Sequence, residues 1–448
     1  MINFNNLGKH SYSWDIIMPY FRFALRDVFF KEYLVVGREN IPPPGTPCFV
    51  IANHQNSALD ALVVVAMFKD YRQPVFLARG DIFKNNTVAK ILRFWRVMPT
   101  FRLQDGNRSD LMKNLETFQI AANILKNGGV VGMFPEAMHQ QGRYLGTFKK
   151  GVPRICFEAE EAADYQLNLQ ILPVNLHYSN NRNFREKLLV EVGKPFRFNE
   201  FLEPYKNNPN DAYLQFNEKA RAILKPMVLD IEDQEHYEEY NFLREMIRRY
   251  RIKNNYKKFN YLNVFHEEKK VIQEVDALKE KVPEKFETLM TETKAYDESL
   301  KKLNLRDWLI NKKVTGFGLV AKTLLMILFF PVFLFGYISN IIPCLPANIL
   351  TKKIEDKVFN GSLQFGIGFI LFPIWYFVIL LAASLISHSF IFGLSYTILA
   401  FISLFVFFRY KVTVHKLWHA WRYFLRRKTS EIQQLMQLKN NILAFFQH

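Results

Sequence analysis

The chain has 448 residues and a formal net charge of +17, and 15% of its residues are aromatic, including 43 phenylalanines. This length allows one sizeable catalytic domain and further segments, and the strong positive charge predicts an anionic partner, either nucleic acid or anionic lipid. The aromatic content favours lipid, and the sequence has none of the motifs of nucleic-acid-binding modules, so we expect membrane lipids and no nucleic acid as partners. The three cysteines, Cys48, Cys156 and Cys344, lack metal-ligand or redox spacing, which predicts reduced thiols and a catalytic part that faces the cytosol.

Residues 1–30 combine apolar and basic side chains. Trp14 and Phe21 stand among other apolar residues together with Arg22 and Arg26, a pattern typical of a helix that lies in the membrane interface. An ordinary helix that packs on a protein core has the same pattern. The sequence therefore predicts an amphipathic, membrane-associated helix here and leaves the core alternative open.

Short apolar runs alternate with helical patterns through residues 31–210. Such an alternation predicts an α/β fold in which ligands bind at the carboxyl ends of the strands. We therefore expect one catalytic domain over this range. The predicted strands are Tyr33–Gly37, Cys48–Ala52, Val75–Arg79, Val130–Phe134, Ile171–Leu176 and Leu188–Val192.

A polar stretch with the sequence NHQNSALD follows the second predicted strand, at residues 53–60. It precedes an apolar run that predicts a helix. Its histidine and aspartate, His54 and Asp60, suit general-base catalysis, because the imidazole accepts a proton near neutral pH and the carboxylate fixes its tautomer. The sequence shows no serine or cysteine nucleophile with a matching signature. The simplest chemistry therefore uses the hydroxyl of the substrate as the nucleophile.

Residues 211–313 give few strand signals and contain many charged residues, as in the run from Arg244 to Lys258. This composition predicts a charged helical segment. We expect its charged runs to form solvated faces, which is the usual place for such runs.

Residues 314–408 form a predicted membrane region. Leu324–Ile342 and Phe365–Phe408 contain no charged residue, and the second stretch has the length of two spans of roughly 20 residues each. We expect this second stretch to form a tight helical hairpin that turns near Ser387–Ser389.

Prolines and flanking charges determine how the first apolar stretch is expected to cross the membrane. Pro331 interrupts the stretch, which ends at Pro343 and Pro346, and basic residues flank the whole region on both sides. The positive-inside rule places both flanks in the cytoplasm. We therefore expect a re-entrant or broken first segment, bent at Pro331, with three full spans as the alternative.

The composition of residues 409–448 predicts a basic amphipathic C-terminal helix that lies at the anionic leaflet of the membrane.

Four short blocks in order make the chain resemble the glycerophospholipid acyltransferase family, which includes lysophosphatidate and glycerol-3-phosphate acyltransferases. The blocks are Asn53-His54 with Asp60, Phe101-Arg102, Phe134-Pro135-Glu136-Ala137 and Leu172-Pro173-Val174, and Phe148-Lys149-Lys150-Gly151 also matches. The resemblance covers roughly residues 30–200. It implies an α/β fold with a mixed sheet and flanking helices, and hence an acyltransferase domain at residues 31–210.

The resemblance implies a role for each matching residue. His54 is implied to be the general base that deprotonates the acceptor hydroxyl, and Asp60 is implied to orient it. Glu136 is implied to orient the acceptor or the phosphate-binding arginine. Three basic residues are implied to hold the acceptor's phosphate: Arg102, Lys149 and Lys150. No metal or cofactor is implied, and acyl-CoA or acyl-carrier protein is the expected co-substrate.

Two features depart from the family pattern. Five residues separate His54 from Asp60 where four are usual, a spacing that resembles the fungal glycerol-3-phosphate/dihydroxyacetone-phosphate acyltransferases; the pair meets across a loop, which can absorb one residue. Ala137 stands where the family has glycine. A positive φ would cost alanine about 1 kcal/mol, so we expect a negative φ at Ala137.

The sequence therefore predicts a membrane acyltransferase of phospholipid biosynthesis, with its catalytic domain on the cytoplasmic face. It would move a fatty acyl group from acyl-CoA or acyl-carrier protein to a hydroxyl of glycerol 3-phosphate or its 1-acyl form. One alternative is an acyltransferase for another lysophospholipid or lipid acceptor. A second is a non-catalytic membrane scaffold that binds partners through residues 211–313 and the basic tail.

Overall fold

The computed structural model describes residues 4–70, 72–101, 108–138, 140, 142–180, 182–255 and 260–446. The chain divides into two compact units. The first comprises Met1–Asp230 and Ile354–Phe365, and the second comprises Ile231–Lys353 and Gly366–His448.

An eight-stranded sheet forms the centre of the first unit. Its strands are β1 (Glu32–Val36), β2 (Cys48–Ala52), β3 (Val75–Arg79), β4 (Val97–Thr100), β5 (Val130–Met133), β6 (Gln170–Tyr178), β7 (Lys187–Val192) and β8 (Phe196–Arg197). They lie in the order β1-β7-β6-β2-β5-β3-β4, and β8 pairs with β6. β2 is parallel to both β5 and β6, whereas β7 and β8 are antiparallel to β6. The predicted mixed α/β sheet is confirmed.

Helices cover this sheet, and the apolar strands are buried accordingly. All five residues of β2 are buried, as expected of a central strand in an α/β fold whose two faces are both covered. The helices of this unit are α1 (Tyr12–Phe23), α2 (Ser57–Met67), α3 (Asn86–Phe94), α4 (Arg108–Lys126), α5 (Gly151–Glu161), α6 (Leu202–Asn207) and α7 (Pro209–Leu224).

The N-terminal helix α1 has two different apolar faces. Trp14, Met18 and Phe21 are buried at helical spacing, so this face packs on the protein core. Tyr12 and Ile16 are 79% and 81% exposed. One face of α1 therefore packs as an ordinary core helix does. The other face is apolar and exposed, as the sequence predicts for a helix that lies in the membrane interface.

Two strands of the sheet were not predicted from the sequence: the two-residue β8 and the four-residue β4. β4 contains Pro99, and proline argues against a central strand because it has no N–H to donate. In the structure β4 lies at the end of the sheet and pairs with β3 alone along the strand order. An edge strand tolerates proline, which explains why the sequence pattern concealed it.

Three long helices form the charged segment of the second unit: α8 (Tyr237–Asn255), α9 (Tyr261–Lys281) and α10 (Pro283–Leu303). The expectation of a solvated charged face is wrong at its centre. The side chains of Arg244 and Glu268 are 3% and 4% exposed and form an ion pair of 2.6 Å between α8 and α9. Arg248 contacts the other oxygen of Glu268 at 3.1 Å, so two guanidinium groups compensate the buried carboxylate.

The apolar region contains α11 (Gly316–Leu328), α12 (Phe330–Lys353), α13 (Phe359–Ser387) and α14 (Phe390–Arg426). Among the described residues, α12, α13 and α14 are the helices long and apolar enough to cross a membrane. The turn predicted near Ser387–Ser389 is confirmed, since α13 ends at Ser387 and α14 begins at Phe390. The predicted interruption near Pro331 is present but lies at Phe329, and Pro331 occupies the first turn of α12, where its missing N–H costs little.

The expected end of the first apolar stretch at Pro343 and Pro346 is wrong, because α12 continues through both prolines to Lys353. Pro343 cannot donate to the carbonyl of Ser339, one turn earlier. The indole Nε1 of Trp375 donates to that carbonyl at 2.7 Å instead. A side chain from α13 thus satisfies the oxygen that the proline leaves, which is how prolines are tolerated in apolar helices.

The C-terminal residues form α15 (Ser430–Ala444) after the end of α14. The helix buries Ile432, Leu435 and Ile442 on one face. Lys439 on the same face donates to Asp307 Oδ1 at 2.8 Å, and this pair is almost fully buried. Within the second unit, therefore, α15 is held by a buried ion pair as well as by apolar packing.

Candidate active site

Three neighbouring strands bring the candidate catalytic residues to one edge of the sheet. His54 follows β2, Glu136 follows β5, and Tyr178 is the last residue of β6. β2 lies between β5 and β6 and is parallel to both, so the three carboxyl ends meet at the same edge. This is the edge where open α/β sheets bind their ligands.

His54 and Asp60 form a direct contact. His54 Nδ1 lies 2.9 Å from Asp60 Oδ2. The imidazole is 15% exposed, whereas the aspartate is completely buried. The carboxylate can only accept, so Nδ1 carries the proton and the basic lone pair is on Nε2. A base of this form can take a proton from a hydroxyl group of a bound substrate.

Asp60 accepts hydrogen bonds from four donors. Oδ2 accepts from His54 and from the backbone N–H groups of Gln55 and Asn56, both at 2.7 Å, and Oδ1 accepts from the Tyr178 hydroxyl at 2.6 Å. Asp60 is also in the first turn of α2, where the helix dipole favours a negative charge. These contacts close the five-residue loop between His54 and Asp60, so the longer spacing is structurally accommodated.

Tyr178 is a site residue that the sequence analysis missed. Burial and, next, the charge of Asp60 raise the pKa of its phenol well above the ordinary value, so the hydroxyl stays protonated and donates. In the sequence Tyr178 has the same pattern as any other residue of an apolar strand, and 118 positions separate it from Asp60. Strand pairing alone brings the two together.

The plane and position of the imidazole are fixed by two further contacts. The ring of His54 stacks on Phe134, with centroids 4.2 Å apart and an interplanar angle of 8°. The side-chain amide of Asn53 donates to the carbonyl of Leu176 at 3.0 Å and accepts from its N–H at 2.7 Å. Asn53 thereby prolongs the pairing of β2 with β6 and anchors the residue that precedes the base.

Glu136 is buried and holds two backbone segments. Its Oε1 accepts from the N–H of His54 at 3.0 Å, and its Oε2 accepts from the N–H of Gly146 at 2.8 Å. A Cβ atom at Gly146 would lie 2.7 Å from Glu136 Oε2, so only glycine fits this approach. Glu136 was expected to orient the acceptor or Arg102; the contacts described here give it a role in positioning His54.

Burial raises the pKa of Glu136 from 4.5 to about 7, because its effect on the pKa is larger than the opposite effect of the hydrogen bonds. The stability that this group contributes is therefore fully present below about pH 4.5 and is lost as the pH rises through about 7. Glu136→Gln does not titrate, so the melting temperature of the wild type should fall relative to that of the variant over this pH range. Thermal unfolding in detergent measures the difference. Glu39→Gln, at an exposed position, is measured in parallel as a control for the substitution itself, and a pH-independent difference for Glu136→Gln would contradict the assignment.

Ala137 corrects one expectation from the sequence. Its φ is +58°, although the alanine predicts a negative value. Two anchored groups impose this conformation: Glu136 is held by its two backbone partners, and the N–H of Ala137 donates to the carbonyl of Phe134 at 3.1 Å. The turn therefore keeps the left-handed geometry that glycine would adopt without strain, at a cost of about 1 kcal/mol.

Ala137→Gly should consequently stabilise the protein by up to about 1 kcal/mol, because the left-handed residue would lose its Cβ clash. The midpoint of chemical unfolding in detergent measures this. A suitable control is Ala162→Gly, since Ala162 has φ −64° at the end of α5 and the change should destabilise by about 0.5–1 kcal/mol. Equal destabilisation by both changes would show that the turn is not strained.

The structure places the two predicted lysines differently from each other. Lys149 is exposed, and its backbone N–H donates to the carbonyl of Pro135 at 2.8 Å, beside Glu136. Lys150 directs its ammonium to Asn210 Oδ1 on α7 at 2.9 Å. This contact uses one of the three N–H donors of the ammonium, and the phosphate contact of Lys150 stays a prediction. Arg102 lies outside the described residues, so its role stays a prediction.

No cluster of three or more histidine, cysteine or carboxylate side chains is placed to hold a metal ion in the part of the chain that the structure describes. The described site consists instead of a base, its orienting carboxylate and the groups that position them. This arrangement can deprotonate a hydroxyl group of a bound substrate.

Comparison with known proteins identifies the domain that carries this site. Residues 32–177 match the model of the Acyltransferase family. These residues are an acyltransferase domain. They include β1 to β5, β6 up to its last residue, and the site residues described above except Tyr178, which directly follows the matched range.

The acyltransferase domain also matches curated enzymes over part of their length. Identity is 29% over 117 residues to a chloroplastic 1-acyl-sn-glycerol-3-phosphate acyltransferase of Brassica napus, covering 26% of this chain and 31% of that protein. Identity is 29% over 122 residues to a chloroplastic enzyme of the same name from Arabidopsis thaliana, covering 27% and 32%. It is 30% over 117 residues to glycerol-3-phosphate O-acyltransferase 2 of Saccharomyces cerevisiae, covering 26% and 16%. The match thus spans a third or less of each of these relatives.

Among solved structures, the crystal structure of the 1-acyl-sn-glycerophosphate acyltransferase PlsC from Thermotoga maritima overlaps with 49% of this chain and 82% of that chain. The identity is 17% and the TM-score is 0.34. A score this low does not establish a shared arrangement of the elements.

Proposed function

We propose that the protein is a membrane glycerolipid O-acyltransferase of phospholipid biosynthesis. It transfers a fatty acyl group from a thioester donor to a hydroxyl of glycerol 3-phosphate or 1-acylglycerol 3-phosphate. The observation that carries this proposal is the contact of His54 with the buried Asp60 inside the acyltransferase domain, with Nε2 as the basic atom. The names of the plastid and yeast relatives support the two acceptors.

The geometry fits a single-step transfer. Nε2 of His54 takes the proton of the acceptor hydroxyl as its oxygen attacks the thioester carbonyl, and Asp60 stabilises the imidazolium that forms. A C–O bond forms, the C–S bond breaks, and the imidazolium returns the proton to the thiolate that leaves. No covalent acyl-enzyme is needed, because the acceptor is itself the nucleophile. Either acyl-CoA or acyl-carrier protein can supply the thioester.

Helices α12, α13 and α14 support the assignment to a membrane, where the acylated product belongs. We place the catalytic domain on the cytoplasmic face, since Lys312 and Lys313 precede the apolar region and basic residues follow it. A cysteine introduced at Lys428, in a chain with Cys344→Ser, tests this placement. A membrane-impermeant maleimide should label it only after permeabilisation, and labelling of intact cells would overturn the cytoplasmic assignment.

Acyl transfer by membranes containing the wild type should be measured with three acceptors offered separately: glycerol 3-phosphate, 1-acylglycerol 3-phosphate and a non-phosphorylated monoacylglycerol. Each acceptor is tested with acyl-CoA and with acyl-carrier protein. Transfer to a phosphorylated acceptor supports the proposal and identifies the donor. Transfer to the non-phosphorylated acceptor alone, or no transfer by folded protein, would overturn the proposed substrate class.

A further inference from the structure

The first turn of α2 receives a hydrogen-bonding partner from a distant part of the sequence. The hydroxyl of Ser362 accepts from the N–H of Leu59 at 3.0 Å and donates to the carbonyl of Asn56 at 3.1 Å. Leu59 is the third residue of α2, and a side-chain oxygen on the N–H at this position is the contact that caps a helix N-terminus. The capping group here comes from 303 residues further along the chain.

Aromatic packing holds the segment that carries this serine in the first unit. Phe365, on the same helix α13 and one turn after Ser362, is 4% exposed. Its ring lies 5.8 Å from that of Phe21 and 5.4 Å from that of Phe29, both in edge-to-face geometry. Such pairs stabilise their arrangement beyond simple burial. The hydroxyl of Ser362 is therefore held in register with α2 by more than its own hydrogen bonds.

The residues that Ser362 contacts lie within the loop that builds the His–Asp pair. Asn56 is bonded through its N–H to Asp60 and through its carbonyl to Ser362. Leu59 directly precedes Asp60 in the chain. A displacement of this first turn would move the carboxylate that orients His54, and a misplacement of about 1 Å can cost a large factor in rate.

We propose that Ser362 is a positioning residue of the active site. The first turn of α13, the second helix that is long and apolar enough to span a membrane, caps the catalytic helix α2 and fixes the loop between His54 and Asp60. Residues Ile354–Phe365 are thus part of the catalytic architecture, although the acyltransferase family match ends at residue 177. The kinetic part of this inference rests on the proposed function, and its structural part does not.

Amide hydrogen exchange of the full-length protein in detergent tests the structural part. In Ser362→Ala, the peptide covering residues 56–67 should exchange about fivefold faster than in the wild type, the effect of losing one helix cap. Ser362→Thr keeps the hydroxyl and should restore slow exchange. Ser387→Ala is the matched control, because that hydroxyl lies at the other end of α13 and bonds the carbonyl of Ala383 in the same helix.

Acyl-transfer kinetics test the positioning role. Ser362→Ala should lower kcat about fivefold with the KM for the acceptor unchanged, because the orientation of the base and not acceptor binding is disturbed. Ser362→Thr should recover most of kcat, and Ser387→Ala should leave it at the wild-type value. Unchanged exchange in Ser362→Ala would overturn the capping contact, and faster exchange with unchanged kcat would overturn the positioning role. If the wild type shows no acyl transfer, the proposed function fails, while the exchange experiment still decides whether Ser362 caps α2.

Discussion

Replacing His54 by alanine is expected to lower kcat for acyl transfer by roughly 10²- to 10⁴-fold, the usual contribution of general-base catalysis. In the proposed mechanism Nε2 of the imidazole accepts the proton of the acceptor. The two carboxylates that contact the loop, Asp60 and Glu136, already accept hydrogen bonds on both of their oxygens. Because His54 is anchored through its backbone N–H to Glu136, the loop should keep its shape without the ring. Initial rates with saturating donor and acceptor measure the effect.

His266→Ala serves as the matched control for this change. His266 is exposed on α9 in the second unit, and its loss should leave kcat unchanged. The melting temperatures of both variants should lie close to that of the wild type. If His54→Ala keeps more than a tenth of the wild-type kcat, a different group removes the proton and the proposed chemistry is wrong.

The change with the second-largest expected effect is Asp60→Asn, which should lower kcat by roughly 10²- to 10⁴-fold while the fold survives. The amide oxygen of asparagine can replace Oδ2 as acceptor for His54 and for the two backbone N–H groups. Its NH₂ group then faces Tyr178, whose hydroxyl can turn and accept. The hydrogen bonds persist, but the negative charge that stabilises the imidazolium in the transition state is gone.

Steady-state kinetics and thermal unfolding together test this separation of charge from structure. Asp81→Asn is the control, since Asp81 forms an exposed ion pair with Arg79 and such pairs contribute little. A fall in kcat with a nearly constant melting temperature supports an electrostatic role for Asp60. Loss of folded protein in Asp60→Asn would show instead that the aspartate is chiefly a structural acceptor.

Local patterns were sufficient to predict the central elements of the acyltransferase domain. The apolar runs Cys48–Ala52 and Val75–Arg79 are strands with the same bounds in the structure. A buried strand needs a continuous apolar run, and that requirement is visible in a few residues. His54 lies two residues after such a run, which predicts a position at a strand end, and the structure has it there.

Contacts between distant residues could not be predicted in this way. Tyr178 and Ser362 reach the loop from 118 and 303 positions away, and nothing in their own neighbourhoods marks them as partners of Asp60 or Leu59. The positive φ of Ala137 has the same origin. Local preference argues against it, and the hydrogen bonds of Glu136 to two other segments outweigh that preference, as tertiary contacts often do.

The first unit is discontinuous in sequence, since it needs both Met1–Asp230 and Ile354–Phe365. A ribosome delivers residues in order, so the sheet and α2 emerge long before Ser362 and Phe365 are made. Closing a loop of this length is slow compared with local helix formation, and domains fold largely as they are synthesised. The nascent domain therefore holds a His–Asp loop without its cap until the helices of residues 231–353 have been made, and we expect the loop to be completed only when α13 has begun to form.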